Sequence, residues 1–377
     1  MKPIKMVDLY GQYYHIKDEV DTAIQEVIDT TAFIKGKAVH EFQKELEDYL
    51  GGANVVPCGN GTDALQIALM AIGVQPGDEI ITPDFTFIST AEVAAVLGAK
   101  PVFVDVDPES FTITSEQIKN AITSKTKAII PVHLFGQCTH MESIMQVAED
   151  NGLYVVEDAA QALGADYIFE DKNRKKAGTI GHLGITSFFP TKNLSCFGDG
   201  GAIFSNSQVL AEKCRAIANH GMKRKYYNDY IGVNSRLDTI QAAILREKLP
   251  CLDQYNKLRK WAADQYDTYF NNYKTIKIPQ RVPYSTHIFH QYSIVLNDEH
   301  LDRNEIQSYL KENGIPSMIY YPLPLHRQNA YSYLQYDEND FPVSNHLSER
   351  VLSLPMHTEL TEEQIKYTAQ TLINMIQ

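Results

Sequence analysis

The chain has 377 residues, of which 44% are hydrophobic and 21% charged, and its formal net charge is -13. This length predicts about two domains, and no apolar run approaches the ~18 residues of a membrane-spanning helix. The acidic balance argues against nucleic-acid binding, because the best basic run, Lys223–Lys225, is short.

The cysteines are odd in number, scattered, and free of any C-x-x-C spacing. This pattern indicates reduced thiols, with neither a disulfide framework nor a zinc or other metal site. The first residues also lack the apolar core of a signal peptide. We therefore expect a cytoplasmic protein.

Short apolar runs alternate with helical patterns between about residues 54 and 206. The predicted strands are Glu79–Thr82, Pro101–Val106, Ala128–Val132, Tyr154–Glu157, Ile185–Phe188 and Ala202–Ser205. The predicted helices are Thr62–Ile72, Ser89–Leu97, Ser115–Ile122 and Met141–Asn151. Strands that are apolar throughout are typical of a parallel sheet covered on both faces. The pattern predicts an α/β fold with a mostly parallel central sheet, in which ligands bind at the carboxyl ends of strands.

The pattern changes after about residue 236. A long amphipathic helical stretch, Leu237–Phe270, has a predicted break at Pro250. It is followed by a single β pattern at His290–Leu296 and a helix at Arg303–Asn313, and a capping box at Thr361 opens the last helix. We predict a large α/β domain over residues 1–248 and a smaller α+β domain over 249–377, with the N-terminal segment a candidate to pack on the smaller one.

The sequence Asn60-Gly61-Thr62 opens the first helix of the α/β region. Gly61 lets the backbone approach an anion, the helix start supplies N–H groups, and Thr62 adds a hydroxyl donor, so a phosphate group would be stabilised there. The alternative is a plain helix N-cap. The segment is neither a P-loop nor a G-x-G-x-x-G loop, which removes the main support for nucleotide triphosphate or dinucleotide binding.

Two further side chains are expected at the ends of strands. Phe87 follows the strand at Glu79–Thr82 and could stack on a heteroaromatic ring, although packing in the core is the alternative. Asp158 ends an apolar strand, where a carboxylate needs a positive partner. Gln161 lies three residues later and could bond a ring substituent or cap a helix.

Lys192 is the central candidate. It follows Ser187 by five residues and precedes the glycine-rich stretch Gly198–Gly201. A lysine amine can form a Schiff base with pyridoxal phosphate (PLP), while a carboxylate such as Asp158 keeps the pyridine nitrogen protonated. Ser187 could complete the phosphate site. Together these residues supply every part that a PLP site needs.

The chain resembles the nucleotide-sugar aminotransferases of the DegT/DnrJ/EryC1/StrS family over nearly its whole length. The matching segments are Gly59–Leu65, Pro83–Thr90, Glu157–Ala162, Ser187–Gly201, Gly232–Leu245 and Tyr321–His326. The resemblance implies an aspartate aminotransferase-like fold, PLP-dependent transferase fold type I. The segments Ser187–Gly201 and Gly232–Leu245 are most similar to bacterial enzymes that aminate UDP-2-acetamido-2-deoxy-3-oxo-D-glucuronate for surface polysaccharides such as lipopolysaccharide O-antigen.

The resemblance also implies roles for individual residues. Lys192 would bind PLP covalently and move the proton, and Asp158 would pair with the pyridinium. The other implied cofactor contacts are Gln161 near the ring oxygen, Phe87 stacked on the ring, and Gly61, Thr62, Ser187 and Asn234 on the phosphate, with Asn234 reaching across from the second subunit of a homodimer. The implied substrate contacts are Arg236, Tyr320 and Tyr321.

The implied reaction is a ping-pong transamination from L-glutamate to a nucleotide-linked keto sugar, with pyridoxamine phosphate as the intermediate form of the cofactor. Arg236 is the candidate anchor for a carboxylate, and a helix cap or surface ion pair is its alternative. The alternatives for function are a C4 aminotransferase of a UDP- or dTDP-4-keto-6-deoxy sugar, a PLP-dependent sugar dehydratase, and a non-catalytic PLP-binding regulator. Two departures from the family pattern are Phe189 and Tyr320, where relatives carry His.

Overall fold

The computed structural model describes residues 2–377. Its strands are β1 Asn54–Cys58, β2 Glu79–Pro83, β3 Lys100–Val104, β4 Thr126–Ile129, β5 Tyr154–Asp158, β6 Asp166–Ile168, β7 Arg174–Lys176, β8 Leu183–Ser187, β9 Gly201–Ser205, β10 Met222–Arg224, β11 Tyr227–Asn228, β12 Ile276–Lys277, β13 Tyr292–Leu296 and β14 Val351–Leu354. Its helices are α1 Leu9–Tyr14, α2 Lys17–Thr30, α3 Lys37–Tyr49, α4 Gly61–Ala71, α5 Ser89–Val96, α6 Ser115–Ala121, α7 Met141–Asp150, α8 Gln208–Ile217, α9 Thr239–Lys248, α10 Leu252–Phe270, α11 Arg303–Glu312, α12 Pro342–Arg350 and α13 Glu362–Ile376.

The central sheet has seven strands in the order β1-β9-β8-β5-β4-β2-β3. β8, β5, β4, β2 and β3 pair in parallel, whereas β9 runs antiparallel to both of its neighbours. Apolar clusters cover the two faces of the sheet, one including α4 and α8 and the other including α6 and α7. The predicted α/β fold with a mostly parallel central sheet is confirmed. The sequence pattern missed β1 as a strand.

The loop between β8 and β9 carries Lys192. The backbone N–H of Phe188 donates to the carbonyl of Gly200 at 2.8 Å, and that of Cys196 donates to the carbonyl of Phe188 at 2.8 Å. The loop is therefore closed at its base and folded back on itself.

The C-terminal part of the chain contains a second, three-stranded sheet in the order β12-β13-β14. The sequence predicted a single strand here, which is wrong, because β12 and β14 pair with β13 from distant positions in the chain. The long helical stretch is broken at residues 249–251, as expected from Pro250. The capping box at Thr361 is present.

The N-terminal segment contacts the C-terminal region. Ile4 belongs to an apolar cluster whose other buried members all lie after residue 261. The backbone N–H of Met356 donates to the carbonyl of Met6 at 3.2 Å, and His15 contacts Glu359 at 2.8 Å. The boundary at residue 248 itself stays a prediction. Within residues 2–377, no helix is long and apolar enough to cross a lipid bilayer.

Candidate active site

The carboxyl ends of β2, β5 and β8 lie at one edge of the central sheet because these strands are parallel. β1 runs in the same direction, so α4, which follows it, begins at that edge. A pocket of about 810 Å³ opens there. The predicted site residues that line it are Gly61, Thr62, Phe87, Asp158, Gln161, Ser187, Lys192, Tyr320 and Tyr321.

Lys192 presents its amine to this pocket. Removal of the amine from water disfavours the ammonium form and lowers its pKa to about 8, while the carboxylate of Asp158 opposes that shift. The neutral form of the amine is therefore much more populated near neutral pH than in an ordinary lysine, although the ammonium form remains the major one. A neutral amine is the form that reacts with a carbonyl carbon.

Asp158 ends β5 and is 7% exposed. One carboxylate oxygen, Oδ1, accepts a hydrogen bond from the backbone N–H of Ala160 at 2.9 Å. Burial raises the pKa of Asp158, and the Ala160 N–H, Lys192 and His133 oppose the increase. The other oxygen, Oδ2, has no hydrogen-bond partner within residues 2–377. The site therefore holds a carboxylate oxygen without a protein partner, on a largely buried residue, that a cationic N–H could satisfy.

Glu157 precedes Asp158 but has a different environment. Its carboxylate accepts hydrogen bonds from the backbone N–H groups of Gly178 and Ile180 at 3.0 and 2.6 Å. It also contacts Nε2 of the buried His133 at 2.8 Å. These bonds consume the acceptor capacity of Glu157, so this acid holds the loop after β7 in place rather than serving the pocket.

The start of α4 forms a small polar cradle. Asn60 caps the helix, and its side chain accepts a hydrogen bond from the backbone N–H of Asp63 at 2.7 Å. The backbone N–H groups of Gly61 and Thr62 have no partner within residues 2–377. A Cβ on Gly61 would lie 2.9 Å from the Cβ of Ser187, so only glycine fits there without movement. Both sequence interpretations apply: the helix is capped, and free donors remain for an anion.

Aromatic rings form another side of the pocket. Phe87 is 54% exposed although it lines the pocket, which rules out its alternative role as core filler. Its ring centroid is 6.4 Å from that of Tyr321. The Tyr321 hydroxyl accepts a hydrogen bond from Gln161 Nε2 at 3.1 Å, and Gln161 Oε1 accepts one from the backbone N–H of Phe135 at 2.9 Å. Gln161 thus ties the tyrosine to the loop after β4.

Two predicted site residues do not line this pocket within a single chain. Asn234 is exposed, and Arg236 is partly buried. Arg236 has no ion pair or side-chain hydrogen bond within residues 2–377, so the surface ion pair considered for it is absent there. Asn234 was expected to act on the pocket of a second subunit, and both roles stay predictions.

The structure adds residues that the sequence did not indicate. His290 and Gln291 line the pocket and are 6% exposed each. His290 and Gln291 begin the predicted strand His290–Leu296, and the sequence pattern gave them no role beyond that of strand residues. A polar His-Gln pair ahead of an apolar β run was the available signal. Phe189, one of the departures from the family pattern, also lines the pocket and is 50% exposed.

Comparison with known proteins identifies the family. The model of the DegT/DnrJ/EryC1/StrS aminotransferase family matches residues 14–373. The chain is 46% identical to a pleiotropic regulatory protein of Geobacillus stearothermophilus, covering 98% of this chain and 97% of the relative. It is 42% identical to the UDP-2-acetamido-2-deoxy-3-oxo-D-glucuronate aminotransferase of Pseudomonas aeruginosa, covering 98% of this chain and 100% of the relative.

A solved structure shows the same fold over the whole length. The X-ray crystal structure of S. venezuelae DesV in complex with a ketimine intermediate has a TM-score of 0.94 and 34% identity, and the match covers 100% of this chain and 99% of that chain. The predicted PLP-dependent transferase fold type I is confirmed. The chain belongs to the DegT/DnrJ/EryC1/StrS aminotransferase family.

Proposed function

We propose that this protein is a PLP-dependent aminotransferase that moves the amino group of L-glutamate to C3 of a nucleotide-linked keto sugar. The favoured acceptor is UDP-2-acetamido-2-deoxy-3-oxo-D-glucuronate. The observation that carries the proposal is that a lysine amine of lowered pKa and a buried carboxylate share one pocket with a free anion cradle. The product would serve the synthesis of surface polysaccharide.

The residues of the pocket fit PLP. The phosphate group suits the free N–H groups of Gly61 and Thr62 with the hydroxyl of Ser187. The exposed ring of Phe87 offers a stacking face. The unpaired oxygen of Asp158 suits a protonated ring nitrogen. We propose a covalent bond between the cofactor aldehyde carbon and Lys192 Nζ.

PLP, when bound, withdraws electrons from the carbon that bears the amino group and so makes its proton removable. Lys192 is the group that takes and returns this proton at Nζ, because its lowered pKa permits both forms near neutral pH. Asp158 would stabilise positive charge on the cofactor ring through Oδ2, the oxygen that has no protein partner. The hydrogen bond between Gln161 and Tyr321 fixes one part of the pocket wall.

The choice of a 3-keto uronate rests on two points. The first is the 42% identity over the full length to a relative that bears this substrate in its name. The second is Arg236, whose guanidinium lacks a carboxylate partner within residues 2–377 and could hold the uronate carboxylate through two parallel hydrogen bonds. Tyr320 and Tyr321 would contact the sugar.

The enzyme would act as a cytoplasmic homodimer with shared active sites. Asn234 and Arg236 lie outside the pocket of their own chain, which supports a role for them at the pocket of a partner subunit. Asn234 would reach the phosphate cradle of the partner.

The test is product identification from a panel of UDP- and dTDP-linked 3-keto and 4-keto sugars with L-glutamate, by mass spectrometry and NMR. The purified protein should absorb near ~410 nm and lose that band when L-glutamate is added. Lys192→Ala should abolish both signals, with Lys257→Ala on an exposed helix face as the control. An absorbance spectrum that does not change when L-glutamate is added would contradict the proposed transaminase activity.

Replacing Arg236 should affect acidic and non-acidic keto-sugar acceptors differently. Arg236→Ala should raise KM for the 3-keto uronate by ~10²-fold or more while leaving a non-acidic keto sugar nearly unaffected. Arg236→Lys keeps the charge but loses the paired geometry, so we expect an intermediate loss. Equal effects on both acceptors would remove Arg236 as the carboxylate anchor.

The relative named as a regulatory protein gives weight to one alternative, a non-catalytic PLP-binding regulator. That protein would bind the cofactor and show no turnover with any keto sugar. A C4 aminotransferase would instead convert only the 4-keto-6-deoxy sugars of the panel. A dehydratase is disfavoured because Lys192 stands where family dehydratases carry His.

A further inference from the structure

Asp84 and His326 form a buried pair that does not line the pocket and that the proposed function does not use. His326 Nδ1 lies 2.7 Å from Asp84 Oδ2, and the backbone N–H of His326 donates to Asp84 Oδ1 at 2.7 Å. The backbone N–H of Leu325 donates to the carbonyl oxygen of Asp84 at 3.0 Å. A buried carboxylate is costly unless its oxygens are paired, and both oxygens of Asp84 are paired with His326.

The pair joins two parts of the chain that both carry pocket residues. Asp84 follows β2 and precedes Phe87 by three positions, and His326 follows Tyr321 by five. Phe87 and Tyr321 line the pocket, with ring centroids 6.4 Å apart. The contacts between Asp84 and His326 therefore connect the two sides of this aromatic wall.

The side of the wall that follows β2 is held by the central sheet. The backbone N–H of Asp84 donates to the carbonyl oxygen of Val104 in β3 at 2.9 Å. The side that carries the tyrosines has less support. Within residues 2–377, the backbone N–H groups of Ile319–Leu323 donate to no backbone carbonyl. The position of this segment therefore depends on what fixes the chain at its two ends.

The two ends of the segment are anchored in different places. Met318 pairs with Ser353 in β14 through two backbone hydrogen bonds, of 3.0 and 2.8 Å. The other end, at His326, makes its hydrogen bonds to distant parts of the described chain with Asp84 only. The His326 ring also stacks on Phe341, with centroids 4.4 Å apart, and its Nε2 is buried without a partner. The imidazole therefore has one polar contact, which is with Asp84.

We propose that Asp84 and His326 are positioning residues for the sugar side of the pocket. Their contacts hold the segment before His326 against the end of β2 and so set the distance of the Tyr321 ring from Phe87. The hydrogen bond from Gln161 restrains the hydroxyl of Tyr321, whereas the pair restrains the backbone that carries it. This inference rests on the proposed function, in which Tyr321 contacts the sugar.

Loss of the pair should affect the two half reactions differently. The sheet still holds the loop that carries Phe87, so the cofactor keeps its contacts, while the segment with the tyrosines gains freedom. His326→Leu should raise KM for the keto sugar by ~10-fold or more. The rate at which L-glutamate removes the absorbance band of the bound cofactor should stay within ~2-fold of the wild type. An equal loss in both half reactions would overturn the positioning role.

Two further variants separate positioning from a general loss of packing. His326→Asn keeps an N–H donor near the place of Nδ1, so it should restore most of the wild-type KM. Phe341→Leu removes the ring that stacks on the imidazole but leaves the contacts with Asp84 in place. It should lower the melting temperature and leave KM for the keto sugar near the wild-type value. An equal rise of KM in Phe341→Leu and His326→Leu would contradict the proposal.

His326→Leu leaves a buried carboxylate without its partner and can fail to fold, so a second measurement uses the wild-type protein. Hydrogen exchange of the PLP-bound protein, resolved with overlapping peptides, should be slow at the N–H groups of Leu325 and His326. It should be faster at those of Tyr320 and Tyr321, which have no backbone acceptor. Equal exchange in the two pairs of residues would show that Asp84 does not anchor the segment.

The proposed function and this inference fail in different ways. A wild-type protein that aminates no keto sugar would refute the proposed function, and the positioning role would fall with it. A protein that aminates keto sugars but whose His326→Leu variant keeps the wild-type KM would refute the positioning role alone.

Discussion

At the scale of single residues, two lysines have a similarly lowered pKa but differ in their access to the pocket. Burial lowers the pKa of both Lys192 and Lys248 to about 8. Lys192 lines the pocket, whereas Lys248 is 3% exposed and its Nζ donates to Ser195 Oγ at 2.7 Å. Lowered pKa alone therefore does not identify the reactive amine, and position at the strand ends does.

Lys248 predicts a pH dependence of stability. Its pKa is about 8 in the folded chain and 10.5 ordinarily, so between these values the unfolded chain binds a proton that the folded chain lacks. The free energy of unfolding should therefore rise as pH rises through this window. Lys248→Met should flatten that rise and stabilise the cofactor-free protein by about 2 kcal/mol at pH 7.

Urea unfolding at several pH values between ~7 and ~10 measures this effect. Lys257→Met, on an exposed face of α10, is the matched control and should leave the slope unchanged. Identical pH profiles for Lys248→Met and the wild type would contradict the prediction.

The neighbouring acids at the end of β5 should respond differently to loss of charge. Asp158→Asn should lower kcat by at least ~10²-fold with little change in stability, because its free oxygen serves the pocket. Glu157→Gln should lower the free energy of unfolding by about 2 kcal/mol, because backbone N–H groups and His133 depend on it. Steady-state kinetics and urea unfolding on both variants check the pair, and the reverse pattern would contradict it.

The sequence pattern indicated residues at or shortly after the carboxyl ends of strands, where side chains can reach the ligand edge of the sheet. Asp158 ends β5, while Phe87 and Lys192 lie in the loops after β2 and β8, and all three line one pocket. His290 was not identified, although the polar His290-Gln291 pair ahead of an apolar run was a weak local signal. Its contact with Asn193, which lies 97 positions away in the chain, depends on the tertiary fold and cannot be inferred from a strand pattern.

At the scale of elements, the strands of the central sheet were predictable because burial on both faces leaves an apolar run. The observed bounds of β2 and β5 differ from the predicted ones by a residue at the carboxyl end. β12 and β14 were missed. β12 is only two residues long, and β14 follows α12 directly, so neither gives a periodic signal of its own.

The start of α4 predicts a specific effect of adding one methyl group. Gly61→Ala would place its Cβ 2.9 Å from that of Ser187, and overpacking of this kind costs about 1–3 kcal/mol. We expect both a lower melting temperature of the cofactor-free protein and weaker PLP binding. Ser187→Ala removes a hydroxyl without a clash, so it should weaken PLP binding alone. Equal melting temperatures for Gly61→Ala and the wild type would contradict this reading of the cradle.

At the scale of the whole molecule, the chain exposes several large apolar side chains, and one of them, Phe189, lines the pocket. Phe33, Ile34, Phe189 and Phe197 are each at least 44% exposed, and Ile231 is 87% exposed. A second copy of the chain would cover such a surface. A sequence pattern does not indicate which apolar side chains stay exposed, because exposure is a property of the folded surface.

Shared sites predict complementation between inactive variants. Lys192→Ala and Asn234→Asp should each be inactive alone, the second because a carboxylate would face the phosphate cradle. If Asn234 serves the partner, a mixed dimer regains one intact site, and unfolding and refolding the two together should restore roughly a quarter of wild-type activity at equal mixing. Activity of the mixture no higher than that of its components would contradict cross-subunit sharing. Lys192→Ala mixed with Asp158→Asn is the control. Lys192 and Asp158 both line the pocket of their own chain, so each site of the mixed dimer lacks one of them and no activity should be regained.

The antiparallel direction of β9 has a consequence for regiochemistry. Because β8 and β9 meet at one edge of the sheet, the loop between them leaves and returns at the same place, closed by the contacts of Phe188 with Gly200 and Cys196. Because both ends of this loop are held, the Lys192 amine can move little beyond the rotation of its own side chain. Which carbon of the sugar receives nitrogen is then decided by how the hexose is seated, and exchanging this loop between relatives should leave the aminated carbon unchanged.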